Sequence, residues 1–368
     1  LVPDFPEEGW PSMDLCAEML ASHWPEPGGL TTVRPAFRRV FSRSWGASSR
    51  WLRNADRLVN RIIVYPRFLR RMGDRFDAYH VVDHSYAAVV HALPAERTGV
   101  YCHDLDAFRC LLEPQRDPRP LWFRRYARYL LAGLQRAAVV FHSTQAVRQE
   151  ILRYGLVAPE RLVQAPYGVP PEFSPASPCP PDHDGAPSPR QPYLLHVGSC
   201  IPRKRIDVLL RVFAGVRRQI PWMSLVQAGG TWTADQVQLV SQLGIGDAVR
   251  QYRHLSRAAL AELYRRASAV LLPSEAEGFG MPVLEALACG TVVIASDSPS
   301  LREVGGAAVV YAPVGDVPAW VDRVVALMQQ PQMAPPIQER LARAARFSYH
   351  AQARRIYDTY ARLLGAHG

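Results

Sequence analysis

The chain has almost no lysine. Of its 43 Lys and Arg residues, Lys204 is the one lysine and the other 42 are arginine. A phosphorylase would need a lysine for pyridoxal phosphate beyond Lys204, and there is none. Long apolar runs are missing too: none approaches the length of a spanning helix. The six cysteines (Cys16, Cys102, Cys110, Cys179, Cys200, Cys289) form no CxxC pair and have no histidine partner, so they read as reduced thiols of a cytosolic protein. That excludes a disulfide frame and a zinc site. There is no internal repeat and no signal-peptide pattern, although a start at Leu1 leaves upstream residues open.

What remains is the composition of a soluble globular protein, 48% hydrophobic and 21% charged over 368 residues. That length is too great for one ordinary core and predicts two domains. The net charge of +10 is concentrated in residues 34–75, where twelve arginines face only Asp56 and Asp74. The rest of the chain sums to zero. Nucleic acid, anionic lipid or an anionic substrate are the partners such a segment suits.

Residues 173–192 (FSPASPCPPDHDGAPSPRQP) are crowded with proline, serine, aspartate and glycine and read as an interdomain linker. On both sides, short β-branched runs alternate with stretches of helical period, which predicts parallel sheets with crossover helices. The expected strands are 80–83, 99–102, 138–142 and 161–165 in the first half. In the second they are 193–197, 224–228, 269–273, 291–295 and 307–311. Helices are expected near 12–22, 120–136, 145–154, 205–219, 257–267, 281–288 and 316–329. The fold class is therefore α/β, with two Rossmann-like doubly wound domains over 1–172 and 193–345 and ligand in a cleft at the strands' carboxyl ends. The stretch from residue 337 on reads as one helix with an aromatic stripe starting at Phe347, and residues 346–368 could cross back to the first domain.

The strongest chemical signal is SEAEGFGMPVLEALACGTVVIASD, residues 274–297. Glu277 falls in a loop after a strand and Glu285 within the next helix. Gly278 and Gly280 permit close backbone approach, and Pro282 suits a first helical turn. A helix starting there offers N–H groups and a positive dipole end to a diphosphate. The plainer alternative is a solvated loop Glu and a helix Glu paired with arginine. The second signal is YLLHVGSCIPRKRIDVLL, a strand, a loop and a helix start that carries Arg203 and Lys204. Cations oppose the dipole at that end, so the pair calls for an anion. Such charges would stabilise a departing diphosphate mainly in the transition state.

The pattern G-S-x-x-P-R-K, followed by P-S-x-x-E-G-F-G-M-P-x-L-E-A and by V-I-A-S-D-x-P-S-L-R-E-V-x-G with Asp297 and Glu303, resembles the retaining glycosyltransferases of family 4. The resemblance is close over 193–329 and looser before it, through Glu8-Gly9, His103-Asp104 and PYGV (166–169). It implies the GT-B fold and a nucleotide-diphospho-sugar donor held mainly by the second domain. It also implies a glycan, lipid-linked or small-molecule acceptor, with GDP-mannose the first donor to test. By that likeness Arg203 and Lys204 hold the diphosphate and Glu285 the ribose, while Glu277 with the backbone of Gly278, Phe279, Gly280 and Met281 holds the sugar. The base would lie near Arg253, His254 and Leu255, with Gly9, Gly198 and Ser199 in the flanking loops. His103 would contact the donor sugar, and no metal or other cofactor is implied. The chain departs from the pattern in having one glycine in EEGW (7–10) and Ser199 where an arginine is common. His80, His84, His142 and His196 read as structural, and Asp182, His183 and Asp184 as solvated linker.

Residues 34–75 interleave arginines with Trp45, Trp51, Leu52, Leu58, Ile62, Ile63, Phe68 and Leu69. A cationic amphipathic helix on an anionic membrane would look like this, as would an ordinary surface helix. No nucleic-acid-binding module surrounds it. The expectation is a cytoplasmic enzyme, peripheral on the inner membrane face. A sugar-nucleotide epimerase or hydrolase, or a non-catalytic nucleotide-sugar-binding protein, are the rival readings.

Overall fold

The computed structural model describes residues 1–26, 29–42, 50–176 and 192–365. Trp45, Cys179 and the Asp182-His183-Asp184 triplet lie outside the described residues. The chain divides into two units, Leu1–Gly168 with Tyr349–Gly368, and Val169–Ser348.

The first unit is built on a parallel sheet in the order β1-β2-β3-β4: Tyr79–Val81, Thr98–Cys102, Val139–His142 and Leu162–Gln164. Val2 bridges in parallel to Val81 and extends the sheet edge. β1, β2 and β3 are buried along their whole length, which is why they read as unbroken apolar runs. Around them lie α1 (Pro11–Ser22), α2 (Arg50–Val59), a π-helical turn (Asn60–Val64), α3 (Tyr65–Arg70), α4 (Arg109–Leu112), α5 (Leu121–Arg136) and α6 (Gln145–Arg153). A 3-10 helix, His84–Ala92, is buried beneath α3 and α5.

The expected single helix after residue 337 is two. It breaks where Phe347 turns its ring against Phe279, 5.6 Å between centroids. The second piece, Tyr349–Gly365, belongs to the first unit. There the Tyr360 hydroxyl donates to the Tyr79 carbonyl at 3.0 Å and Gln352 donates to the Ala165 carbonyl at 3.1 Å.

The basic segment is also more deeply packed than its pattern predicts. Tyr65 and Leu69 are fully buried, and Phe68 packs on the core. The buried Asp56 accepts the N–H groups of Val40, Phe41 and Ser42 at 2.7–3.1 Å. Arg57 and Arg61 bind Glu8, at 3.4 and 2.7 Å. Part of the positive charge is therefore used inside the unit.

The second unit holds six parallel strands in the order β10-β9-β8-β5-β6-β7. These are β5 (Tyr193–Gly198), β6 (Ser224–Gly229), β7 (Val249–Tyr252), β8 (Ala269–Leu272), β9 (Val293–Ser296) and β10 (Val310–Ala312). The helices are α7 (Ile206–Gln219), α8 (Ala234–Gln242), α9 (Arg257–Arg266), α10 (Met281–Ala288), α11 (Pro299–Gly305), α12 (Val317–Gln329) and α13 (Ile337–Ala344). Trp320 and Phe213 are the largest fully buried side chains of the core between α7, α12 and the sheet. β5 pairs with β6 on one side and β8 on the other. The strand order reverses there, so the loops after β5 and β8 open side by side at the sheet's carboxyl edge.

Candidate active site

The loop after β5 is a strand end, a 3-10 turn and a helix start. Lys204 and Arg205 donate backbone N–H groups to Ile201 and Pro202, both at 3.0 Å. Arg205 then takes a left-handed backbone, φ 50, before α7 begins at Ile206. That reversal starts the helix one residue later than expected and turns Lys204 inward while Arg205 turns out. The Arg205 guanidinium forks onto Asp207 with both bonds at 3.0 Å, so it is engaged locally. A Cβ on Gly198 would lie 3.7 Å from Lys204 Cε, which places the lysine stem alongside the strand end.

The loop after β8 meets it. The Glu275 N–H donates to the Arg203 carbonyl at 2.8 Å. Arg203 donates to the Ala276 carbonyl at 3.2 Å and lies 3.5 Å from Glu277 Oε2. Lys204 Nζ donates to Glu277 Oε1 at 2.5 Å. Lys204 is only 8% exposed and the Glu277 side chain 6%, so this is a buried pair. Burial alone would raise the Glu277 carboxyl; the Lys204 and Arg203 charges outweigh it and hold the group below the usual range. The anion that the two cations call for is thus supplied within the protein. Two cations against one carboxylate leave a positive charge at the strand ends, suited to an anionic ligand.

Gly280 opens α10 with φ 98, and a Cβ there would meet Leu301 Cδ2 at 2.5 Å. The position therefore demands glycine twice over. Fewer N–H groups are available at this helix start than its sequence suggests. Pro282 has none, and Val283 donates to the Gly280 carbonyl at 2.9 Å. Gly278, Phe279 and Gly280 lead into α10, which begins at Met281. The Phe279 ring itself is buried, against Phe347.

Glu285 sits about one turn into α10, buried, with Tyr264 donating to Oε2 at 2.8 Å. Burial pushes its carboxyl up to about 7, against the opposing pull of the Tyr264 bond. Among the described residues no cation pairs with it in the way Lys204 pairs with Glu277.

Several polar residues hold these loops, and sequence reading missed them. Ser300, at the start of α11, donates to the Glu277 carbonyl at 2.5 Å. Gln227 donates to the Gly198 carbonyl and Gln236 to the Cys200 carbonyl, both at 3.0 Å, while Gln251 donates to Gln227 at 2.8 Å. Gly229 and Gly230 let β6 approach: Cβ atoms there would lie 2.5 Å from Gly198 O and Cys200 N. The Ala-Gly-Gly at the end of β6 was the available signal. His196 lies beneath, fully buried, with Nδ1 2.9 Å from the Leu271 carbonyl and Nε2 without a hydrogen-bond partner. Burial drops its pKa to about 4, so the ring is neutral.

Arg253, His254 and Leu255 follow β7, two strands from β5, with Arg253 and His254 exposed. Ser199 is exposed in the first loop. In the other unit, Gly9 (φ 68) closes a 3-10 turn, and a Cβ there would meet nothing within 4 Å. His103 follows β2 with both ring nitrogens engaged: Nε2 lies 2.8 Å from the Val82 carbonyl and Nδ1 meets the Tyr167 hydroxyl. The ring therefore donates from Nε2 and accepts at Nδ1. Burial lowers its pKa, opposed by Asp83 and Asp104. A sugar hydroxyl would have to replace one of these partners. The loosely matching stretches HD and PYGV meet here, since the Tyr101, His103 and Tyr167 rings stack. Among the described residues, no three His, Cys, Asp or Glu side chains are grouped to hold a metal.

Comparisons with known proteins agree with this architecture. Anabaena HepE, solved with UDP and glucose, superimposes with a TM-score of 0.67 at 16% identity, covering 90% of this chain and 84% of that one. Sucrose-phosphate synthase from Thermosynechococcus elongatus gives 0.67 at 21%, covering 83% and 78%. The fold is the GT-B fold of glycosyltransferases. Residues 182–347 match the family model "Glycosyl transferases group 1", so that this part of the chain is a group 1 glycosyltransferase domain. It is 26% identical to the Escherichia coli O-antigen chain mannosyltransferase B over 80% of this chain and 81% of that protein. It is 34% identical to a D-inositol 3-phosphate glycosyltransferase of Frankia alni, over 45% of this chain and only 44% of that protein.

Proposed function

We propose that the protein transfers a sugar from a nucleotide-diphospho-sugar to a hydroxyl of a glycan, lipid-linked or small-molecule acceptor, with retention and without a metal. The observation that carries the reading is the convergence of Arg203 and Lys204 on buried Glu277, beside the glycine-bearing start of α10. The bond from the anomeric carbon to phosphate oxygen breaks, and the electron pair leaves with the diphosphate. Arg203, Lys204 and the N-terminus of α10 stabilise that charge. The acceptor oxygen bonds to the same face, and its proton passes to the departing phosphate oxygen. Lys204 has three donors, of which Glu277 takes one, so it can serve carboxylate and phosphate together. Glu277 then stands where sugar hydroxyls would lie, and Glu285 accepts from the ribose.

GDP-mannose is the first donor to try, supported by the likeness to a mannosyltransferase; UDP-sugars come next, given the ligand of HepE. The test is a thermal-shift panel of nucleotide sugars, followed by product NMR with a stabilising donor. Stabilisation by a GDP- or UDP-sugar and an unchanged anomeric configuration are expected, with turnover surviving EDTA. No stabilisation by either class overturns the reading. Free sugar or an epimer formed without acceptor would establish the hydrolase or epimerase rival.

A further inference from the structure

α5 is apolar on two faces where a packed surface helix is apolar on one. Its inner face buries Ala127, Leu130 and Leu134, and Gly133 presses so close that a Cβ would lie 2.0 Å from the Ala87 carbonyl oxygen. The outer face should be polar. Instead its first turn presents Leu121 at 70% exposure and Trp122 at 61%, with Tyr129 exposed further along. Arg125 and Arg128 are exposed on the same helix. α5 carries Arg124, Arg125, Arg128 and Arg136 and no acid.

The basic segment repeats the pattern. Trp51 is 80% exposed and Ile63 faces outward, among exposed Arg53, Arg67 and Arg70. α5 and the run from the π-helical turn into α3 rest on the same 3-10 helix, His84–Ala92. Among the described residues, every large exposed hydrophobic of this unit lies within 10–63 or 121–129. A single exposed leucine is ordinary. A Leu-Trp pair exposed on an acid-free cationic helix is a patch with a chemistry. Lipid interfaces take tryptophan at headgroup level, leucine at the acyl boundary and arginine on phosphates.

We propose that this unit docks on an anionic lipid surface through the first turn of α5. Leu121 and Trp122 enter the interface, and Arg125, Arg128 and the outward arginines of 50–70 meet the lipid phosphates. The docking does not depend on the donor: failure of vesicle binding leaves the transfer reading standing, and the reverse holds for a failed thermal shift.

The experiment is co-sedimentation of the full chain with vesicles of phosphatidylcholine alone and of phosphatidylcholine with phosphatidylglycerol. Binding is expected to the anionic vesicles only and to weaken as salt rises. The double variant Leu121→Ser/Trp122→Ser should lower it about tenfold or more, on the apolar burial lost, with an unchanged melting temperature. Arg125→Gln/Arg128→Gln should lower it by a similar factor and flatten the salt dependence. Equal binding to neutral vesicles, or full binding by the Leu121/Trp122 variant, overturns the proposal. So does sedimentation showing a dimer that this variant dissolves, since the patch would then cover a second copy of the chain.

Discussion

Glu277 and Glu285 are separated by seven residues, and both side chains are nearly sealed from water. Their carboxyls nevertheless move in opposite directions. The loop glutamate sits beside Lys204 and Arg203 and falls below its usual range; the helix glutamate accepts from the Tyr264 hydroxyl and rises to about 7. Burial raises both, and what differs is whether a cation offsets it. The loop after β8 comes to an adjacent strand that brings two cations. α10 is packed among apolar residues, and Val283, Leu284, Ala286 and Leu287 around Glu285 are all buried. The one acid is preset as an ion. The other has its charged form held in reserve, to be stabilised by whatever donates hydrogen bonds to it.

Lys204→Met should break this contrast most strongly. It strips Glu277 of its nearest cation and leaves a buried charge with Arg203 at 3.5 Å. Loss of one partner of a buried pair costs about 3 kcal/mol or more, readable by urea unfolding, and turnover should fall by a factor of about 100 or more. Lys204→Met/Glu277→Gln should regain most of the stability and none of the turnover, because the buried charge is gone but so is the clamp. Turnover near wild type in either variant would remove the proposed role of Lys204.

Glu285→Gln tests the other half. With a folded pKa near 7 against 4.5 in the unfolded chain, the native state keeps a proton that the unfolded state loses between about pH 4.5 and 7. Stability from this group therefore falls as pH rises through that window and levels off above it. Glutamine removes the penalty, so the variant should gain about 3 kcal/mol at pH 8 and nothing near pH 4. Glu277 has the opposite sign: its depressed pKa contributes stability above 4.5 that is lost as pH falls below it. If the ribose hydroxyls favour ionised Glu285, donor affinity should also rise from pH 6 to 8 in the wild type and stay flat in the variant. Parallel stability curves for the two proteins would show that Glu285 titrates normally.

Much of this site could be read before the structure. The apolar runs at 193–197 and 269–273 became β5 and β8, and the Gly-Phe-Gly-Met-Pro stretch started α10 at Met281 as expected. What could not be read was who holds whom. Ser300 and Gln227 are single polar residues whose carbonyl partners lie 23 and 29 positions away. β7 escaped because Arg250, Gln251 and Tyr252 face partly to solvent at a sheet edge. In residues 50–70 aromatic and apolar positions appear on two faces, and periodicity cannot say which one becomes core; Leu69 went inward and Trp51 outward. His103 was placed after its strand correctly, but its bond to Tyr167 joins residues 64 apart and shows only in the fold.

Gly280→Ala acts on both glutamates through the turn they share. The new Cβ would overlap Leu301 and sit at a backbone angle that alanine avoids. About 2 kcal/mol of destabilisation is expected. Adding Leu301→Ala should not restore it, since the backbone strain stays and a cavity is added. Donor KM should rise in both, because the N-terminus of α10 shifts with the turn. Wild-type stability in the single variant would mean the turn relaxes without consequence.

Ser300→Ala is the finest test, because it leaves every charge in place. It deprives the Glu277 carbonyl of its hydroxyl donor and should cost about 1 kcal/mol. The loop, tied at Glu275 to the Arg203 carbonyl, then loses its second anchor and holds Glu277 less firmly against Lys204. A residue that only positions should raise donor KM a few-fold with kcat little changed, and Ser300→Thr, which keeps the hydroxyl, should restore most of the affinity. Equal losses in the alanine and threonine variants would mean that shape at this helix start matters rather than the hydrogen bond. The ion pair would then be set by the two cations alone.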